Sequence, residues 1–224
     1  MVFGMLSGLA LLLAIWSARH LPDFPGQTGD ARLSLSSVIK IPGVRSVLLV
    51  TFGFVLAHNV LYTYVAPFLV PSGLGGSIDF VLLIFGIVAL SSIWVVGVLI
   101  DRWLRELVLV AIGLFGVATL ILGLHGKYSS FVIIAVVIWG LAWGGAATLF
   151  QTASAKAAGE AADVAQSMLV TVWNIAMAPG GGLGGLLINS IDVSSIPWVL
   201  IMLLILTGGV ALSARRSGFP ASHN

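Results

Sequence analysis

Seven apolar runs, each about as long as a bilayer is thick, decide what this chain can fold into. They cover residues 2–18, 47–70, 80–100, 107–124, 131–150, 168–188 and 196–214. A helix needs roughly 20 apolar residues, within a range of about 17–25, to cross the hydrocarbon core. No run alternates apolar and polar residues, and each is too long for a barrel strand. The expectation is an all-α membrane protein with about seven transmembrane helices. Composition points the same way: the chain is 59% hydrophobic and 8% charged, with a mean hydropathy of +1.13. Water-soluble domains run about 45–50% and about 25%, so too few polar groups exist here to cover a surface facing water. Cysteine is absent, which removes disulfides, thiolate nucleophiles and cysteine-based metal sites together.

Positive charge sets the orientation. Arg19, Arg32, Lys40, Arg45, Arg102, Arg105, Lys156, Arg215 and Arg216 fall in connectors on one side of the membrane, and Lys127 alone falls on the other. Positively charged loops stay cytoplasmic, so Met1 is expected outside and the carboxy terminus inside. The first run is not read as a secretory signal, because no Lys or Arg precedes Arg19. An amino terminus that crosses outward unaided would be natural if further spans once preceded it. The longest connector carries Pro22, Pro25, Gly26, Gly29 and Pro42, and within it residues 33–39 can form a short amphipathic helix on the cytoplasmic face. The expected layout is a single helix 1–18, a cytoplasmic linker 19–46, a six-helix bundle 47–214 and a cytoplasmic tail 215–224.

Polar side chains within a span are costly, so they face protein or a water-filled cavity. In the second run His58 and Tyr62 lie about 40° apart on a helical wheel, with Asn59 and Thr63 on the adjoining stripe. The four groups can line a cavity, with His58 able to bind a proton, or they can hydrogen-bond helices together. Pro67 cannot donate to the carbonyl of Thr63, which allows a kink. In the sixth run Ser167, Thr171, Asn174 and Ala178 form a helical stripe, and Asn174 can face a substrate. Pro179 and the glycines after it disfavour a rigid helix; Gly181 and Gly185 match small-residue packing spacing, the reading favoured here, and the segment can also provide a bend. Trp139 and Trp143 stand one turn apart in the fifth run, where Trp143 can stack on an organic substrate or fill a gap between helices.

What is missing also counts. No run has Asp or Glu near its centre, since Asp79 and Asp101 sit at run ends. Proton coupling would therefore rest on His58 or on a carboxylate outside this chain. No zinc-protease, phosphate-loop or nucleophile-elbow motif occurs, so neither an enzyme nor a cofactor or metal is expected.

The connector after the third run reads Gly97-Val98-Leu99-Ile100-Asp101-Arg102-Trp103-Leu104-Arg105-Glu106. It resembles the G-x-L-a-D-r-x-G-r-[RK] signature of the major facilitator superfamily, in the copy between that family's eighth and ninth helices. Gly97, Leu99, Asp101, Arg102 and Arg105 match, while Leu104 replaces the second glycine and Glu106 the final basic residue. In physical terms Gly97 would allow close helix approach, Asp101 could pair with a neighbouring cation, and the arginines would anchor the cytoplasmic side. The stretch Tyr62-Thr63-Tyr64-Val65-Ala66-Pro67-Phe68-Leu69 resembles the seventh helix of the drug and sugar (arabinose-efflux-permease-like) branch. The sixth run, with Asn174 before glycines, is similar to that branch's eleventh helix.

The resemblance implies the last helix of the first half plus the whole six-helix second half of such a fold. It further implies proton-coupled export of a small organic solute across a bacterial inner, that is plasma, membrane. The substrate cavity would be lined by His58, Asn59, Tyr62, Trp143, Thr171 and Asn174. Gly97, Asp101, Arg102 and Arg105 would serve conformational change, and Pro67, Pro179, Gly181 and Gly185 bending or packing. Partners would be the solute, protons, lipid, and either a complementary amino-terminal half or a second copy; nucleic acid is not expected. The competing readings are a truncated, non-transporting fragment or scaffold, and a seven-helix receptor. A retinal receptor is disfavoured because the last run has no lysine for a Schiff base.

Overall fold

The structure is a computed structural model that describes residues 2–22, 33–190 and 193–220, with the side chains of residues 2 and 179–190 left undescribed. It divides into two compact units, Met1–Arg32 and Leu33–Asn224. The first holds helix α1 (Val2–His20), whose side chains are almost all exposed and whose last turn is closed by Trp16 stacking on His20. Every other helix belongs to the second unit, and no strand occurs among the described residues.

Within that unit the amphipathic helix expected at 33–39 is shorter, a single turn α2 (Leu35–Val38). Ser34 caps it by accepting from the Ser37 amide, and Pro42 and Gly43 prevent its extension. Helix α3 (Val44–Thr63) follows and is the most buried, since it packs on three other helices. It breaks at Tyr64, three residues before Pro67, and resumes as the short α4 (Val65–Leu69). A proline removes one backbone donor, which leaves the helix weakest in the turn before it.

The third and fourth runs join in one element, α5 (Ile78–His125), with a single non-helical residue at Trp103. Its 48 residues would reach about 72 Å if straight, over twice the thickness of a hydrocarbon core of about 30 Å. It is not straight. Phe85 and Phe115 both lie against Trp139, at ring-centroid distances of 4.4 and 6.4 Å, although 30 residues of unbroken helix would hold them about 45 Å apart. The chain therefore doubles back at Trp103, and α5 is two antiparallel arms joined by a one-residue turn.

The fifth run becomes α6 (Ser129–Gly144) and α7 (Ala146–Ala158), bent at Gly145. Glycine is required on this face. A Cβ at Gly144 would strike the Ala89 carbonyl of the first α5 arm, one at Gly145 the Val96 side chain, and one at Gly140 would lie 2.9 Å from the Phe85 oxygen. Helices α8 (Ala162–Ser190) and α9 (Ile196–Ser213) complete the bundle. Helix α3 packs on α8 and α9, the α5 arms on α6 and α9, and α7 on α8. Pro179, Gly181 and Gly185 belong to α8, but their packing lies outside the described side chains.

The bundle has two distinct ends. At one, a Cβ on Gly126 would meet Phe68 at 3.1 Å, and one on Gly123 would meet Trp198 at 3.2 Å. At the other, the chain turns after α9 through bonds to the Ala214 carbonyl and buries Phe219. There Arg105 Nη1 donates to the Phe219 carbonyl at 2.7 Å. Gly43, at φ +100°, takes the left-handed backbone that glycine permits and leaves no room for a Cβ beside the Ser217 carbonyl. Alternation of the crossings thus puts residues 43, 105 and 219 on one face of the membrane and 68, 126 and 198 on the other.

Candidate functional site

A cluster of aromatic rings surrounds His58. The residue sits in the fourth turn of α3 with Phe54 one turn below and Tyr62 one turn above, since residues four apart share a helix face. Trp139 and Trp143 present the matching pair from α6, Phe85 and Phe115 come from the two α5 arms, and Phe150 from α7. The imidazole lies flat on the Trp143 indole, 3.3 Å between centroids and 4° between planes. Trp139 Nε1 donates to His58 Nδ1 at 3.2 Å. Because Nδ1 accepts, the neutral ring carries its proton on Nε2.

The expected cavity residues are therefore not equivalent. His58 is buried, at 8% exposure, among rings and not at an open aqueous wall. Tyr62, stacked on it at 5.6 Å, is 46% exposed and forms the open edge of the cluster. Asn59 is half-buried and accepts from Thr63 at 3.4 Å. Trp143 is half-buried, touching Phe54 and Trp173 as well as His58. Thr171 and Asn174 are exposed on α8, where each donates to the carbonyl one turn earlier, Ser167 and Val170. The rings connect the two groups: His58 stacks on Trp143, Trp143 meets Trp173 at 5.6 Å, and Trp173 adjoins Asn174 in a groove.

That groove, of about 210 Å³, lies between α7 and α8 and is lined by Ala147, Gln151, Leu169, Val170, Trp173 and Asn174. Gln151 and Trp173 were not singled out from the sequence. For Trp173 the signal was present, because Gln166, Val170, Trp173 and Met177 form a second helical stripe beside the polar one. No cluster of His, Asp or Glu that could hold a metal occurs among the described residues.

At the Trp103 turn, Asp101 and Arg102 are exposed and Asp101 has no ion-pair partner among the described residues. The close approach expected at Gly97 is not made: a Cβ there would meet nothing within 4 Å, because that face of α5 points away from the bundle. Arg105 is engaged instead, through the Phe219 carbonyl, a contact that sequence reasoning missed.

Hydrophobic helices folded into an antiparallel bundle, with polar groups gathered on α3 and α8, define a multi-pass membrane protein. The comparison with known families narrows this. The model of the Major Facilitator Superfamily matches residues 1–181, and the chain belongs to that superfamily. It is 30% identical over 88% of its length to an uncharacterized MFS-type transporter, YbcL, of Bacillus subtilis, covering 52% of that protein. It is 24% identical over 96% of its length to the purine ribonucleoside efflux pump NepI of Escherichia coli, covering 54% of it. A probable sugar efflux transporter of Helicobacter pylori is 22% identical over 88% of this chain, which covers 51% of that protein. The chain spans about half the length of the curated relatives it matches.

Proposed function

We propose that this chain is the carboxy-terminal part of a secondary transporter that exports a small organic solute across a bacterial inner membrane, in exchange for protons, rather than an enzyme. The family match over residues 1–181 carries the reading. The efflux named for the purine and sugar relatives supports the direction. The exposed face of Tyr62, Thr171 and Asn174 would be half of a midplane site, completed by an amino-terminal half or a second copy. Left against hydrocarbon, polar groups without partners cost about 2–7 kcal/mol each, so the face favours being covered.

His58 is the proposed proton carrier, with Tyr62 at its open edge. A second proton must enter at Nδ1, which Trp139 already occupies as donor. Protonation therefore requires the α3–α6 bond to open, which ties the proton to a helix movement. Asp101 and Arg102, at the membrane edge, would act in that movement without touching substrate. The amino terminus is proposed to lie outside and the carboxy terminus in the cytoplasm.

The competing reading, a fragment that packs but moves nothing, is favoured by the half-length coverage of the relatives. Reconstitution separates the two. Purified chain held as a monomer in liposomes is expected to give no saturable proton-coupled flux, and co-reconstitution with a matching five- or six-helix half to restore it. Flux that stays absent with every such half favours the inert fragment. Robust saturable efflux from a demonstrated monomer overturns the half-site.

A further inference from the structure

The groove between α7 and α8 has a lining that selects one ligand chemistry. Trp173 supplies a flat, half-buried indole as one wall, and Leu169, Val170 and Ala147 supply apolar sides. Two carboxamides, Gln151 and Asn174, are its polar groups, and no lining side chain is charged. Asn174 spends one N–H on the Val170 carbonyl, which fixes the amide plane and leaves its oxygen and second N–H for a ligand. The Gln151 side chain has no partner among the described residues, while its main-chain carbonyl is held by Gln166 Nε2 at 2.7 Å, which braces α7 on α8 beside the groove.

An indole face stacks on flat π-systems, and a carboxamide pairs with an edge that places a donor beside an acceptor. A sugar can also lie against an indole through its C–H face, but it presents many hydroxyls around a puckered ring, more than two amides can satisfy. A phosphate or carboxylate would find no counter-charge. The size, about 210 Å³, falls below the ~300–1,000 Å³ of sites that engulf a drug-sized ligand, so the groove fits a ring system while the rest of the ligand extends outside.

We propose that this groove reads an uncharged planar heteroaromatic ring with adjacent donor and acceptor atoms, the purine ring being the biological class that fits, by stacking on Trp173 and edge pairing to Gln151 and Asn174. The inference rests on the transport reading only in assuming that solute reaches this face of the bundle. Trp173 also touches Trp143, which lies flat on His58, so two indoles link an occupied groove to the proposed proton carrier.

The test is equilibrium binding of radiolabelled adenosine to the full chain in lipid nanodiscs, which needs no flux. Saturable binding is expected, displaced by adenine and not by ribose. Trp173→Leu should weaken it about tenfold, and Trp173→Phe, which keeps an aromatic face, by no more than about threefold. Gln151→Ala should weaken it as well, whereas Trp94→Leu, on an exposed face of α5, should leave it unchanged. Equal elution volumes and helical circular dichroism exclude misfolding of the variants. Displacement by ribose as effective as by adenine, indifference to Trp173→Leu, or no saturable adenosine binding each overturns the proposal. Trp173-dependent binding in particles whose co-reconstituted form carries no flux would overturn the transport reading and leave this one standing. Sugar efflux untouched by Trp173→Leu would do the reverse.

Discussion

At the scale of single residues, the His58–Trp139 bond is the polar contact on which the aromatic cluster turns. Trp139 is fully buried, so Trp139→Phe keeps most of the packing but leaves His58 Nδ1 without its donor. The expected cost is about 1–3 kcal/mol, the usual penalty for a stranded buried acceptor. It should appear as a lowered melting temperature in detergent. A double-mutant cycle with His58→Phe should return about 0.5–1.5 kcal/mol of coupling, and additive effects would mean that the bond contributes nothing. The sequence made half of this site legible. The turn-spaced pairs His58/Tyr62 and Trp139/Trp143 stand out because helical periodicity is local information. Their meeting does not, since 81 residues separate His58 from Trp139. Nothing in either stretch reveals that the imidazole faces an indole and not water. Gln151 escaped notice for a related reason: it acquires meaning only once α8 lies beside α7.

Among the helices, glycine divides into positions that pack and positions that do not. Gly144 admits no Cβ because the Ala89 carbonyl occupies the space, whereas Gly97 faces nothing within 4 Å. Gly144→Ala should therefore destabilise by about 1–3 kcal/mol through backbone displacement. Gly97→Ala should stabilise by about 0.5–1 kcal/mol, the ordinary gain of removing glycine from a helix interior. Thermal unfolding of the two variants side by side checks both signs, and a loss at Gly97 would indicate a contact made by a partner chain. Helix identity was readable here and helix ends were not. Apolar length alone located every run. The polar interval from Asp101 to Glu106 reads as a connector, yet Arg102, Leu104, Arg105 and Glu106 are good helix formers, and the chain reverses by breaking helical geometry at Trp103 alone. Pro67 allows a kink through the backbone alone, independently of what the helix packs against, and the helix breaks three residues before it at Tyr64.

For the whole molecule, sidedness is the property that sequence and structure address from different directions. Charge assigns the connectors by counting Lys and Arg, while packing gathers residues 43, 105 and 219 at one end of the bundle. Single cysteines placed at Trp103 and Ala158 in this naturally cysteine-free chain should be shielded from an impermeant thiol reagent in intact cells. Cysteines at Gly75 and Gly126 should react. Labelling at Trp103 would invert the orientation and break the match with the superfamily signature. The tail adds a dimension of time. Its bond to Arg105 spans 114 residues of sequence, so at about 5–20 residues per second the arginine waits roughly 6–23 s after its own synthesis for Phe219 to be made. During membrane insertion the α5 turn and the first turn of α3 must therefore hold themselves without the segment that later fastens both. A chain ending before Phe219 would keep every described helix and leave that rim of the bundle unfastened.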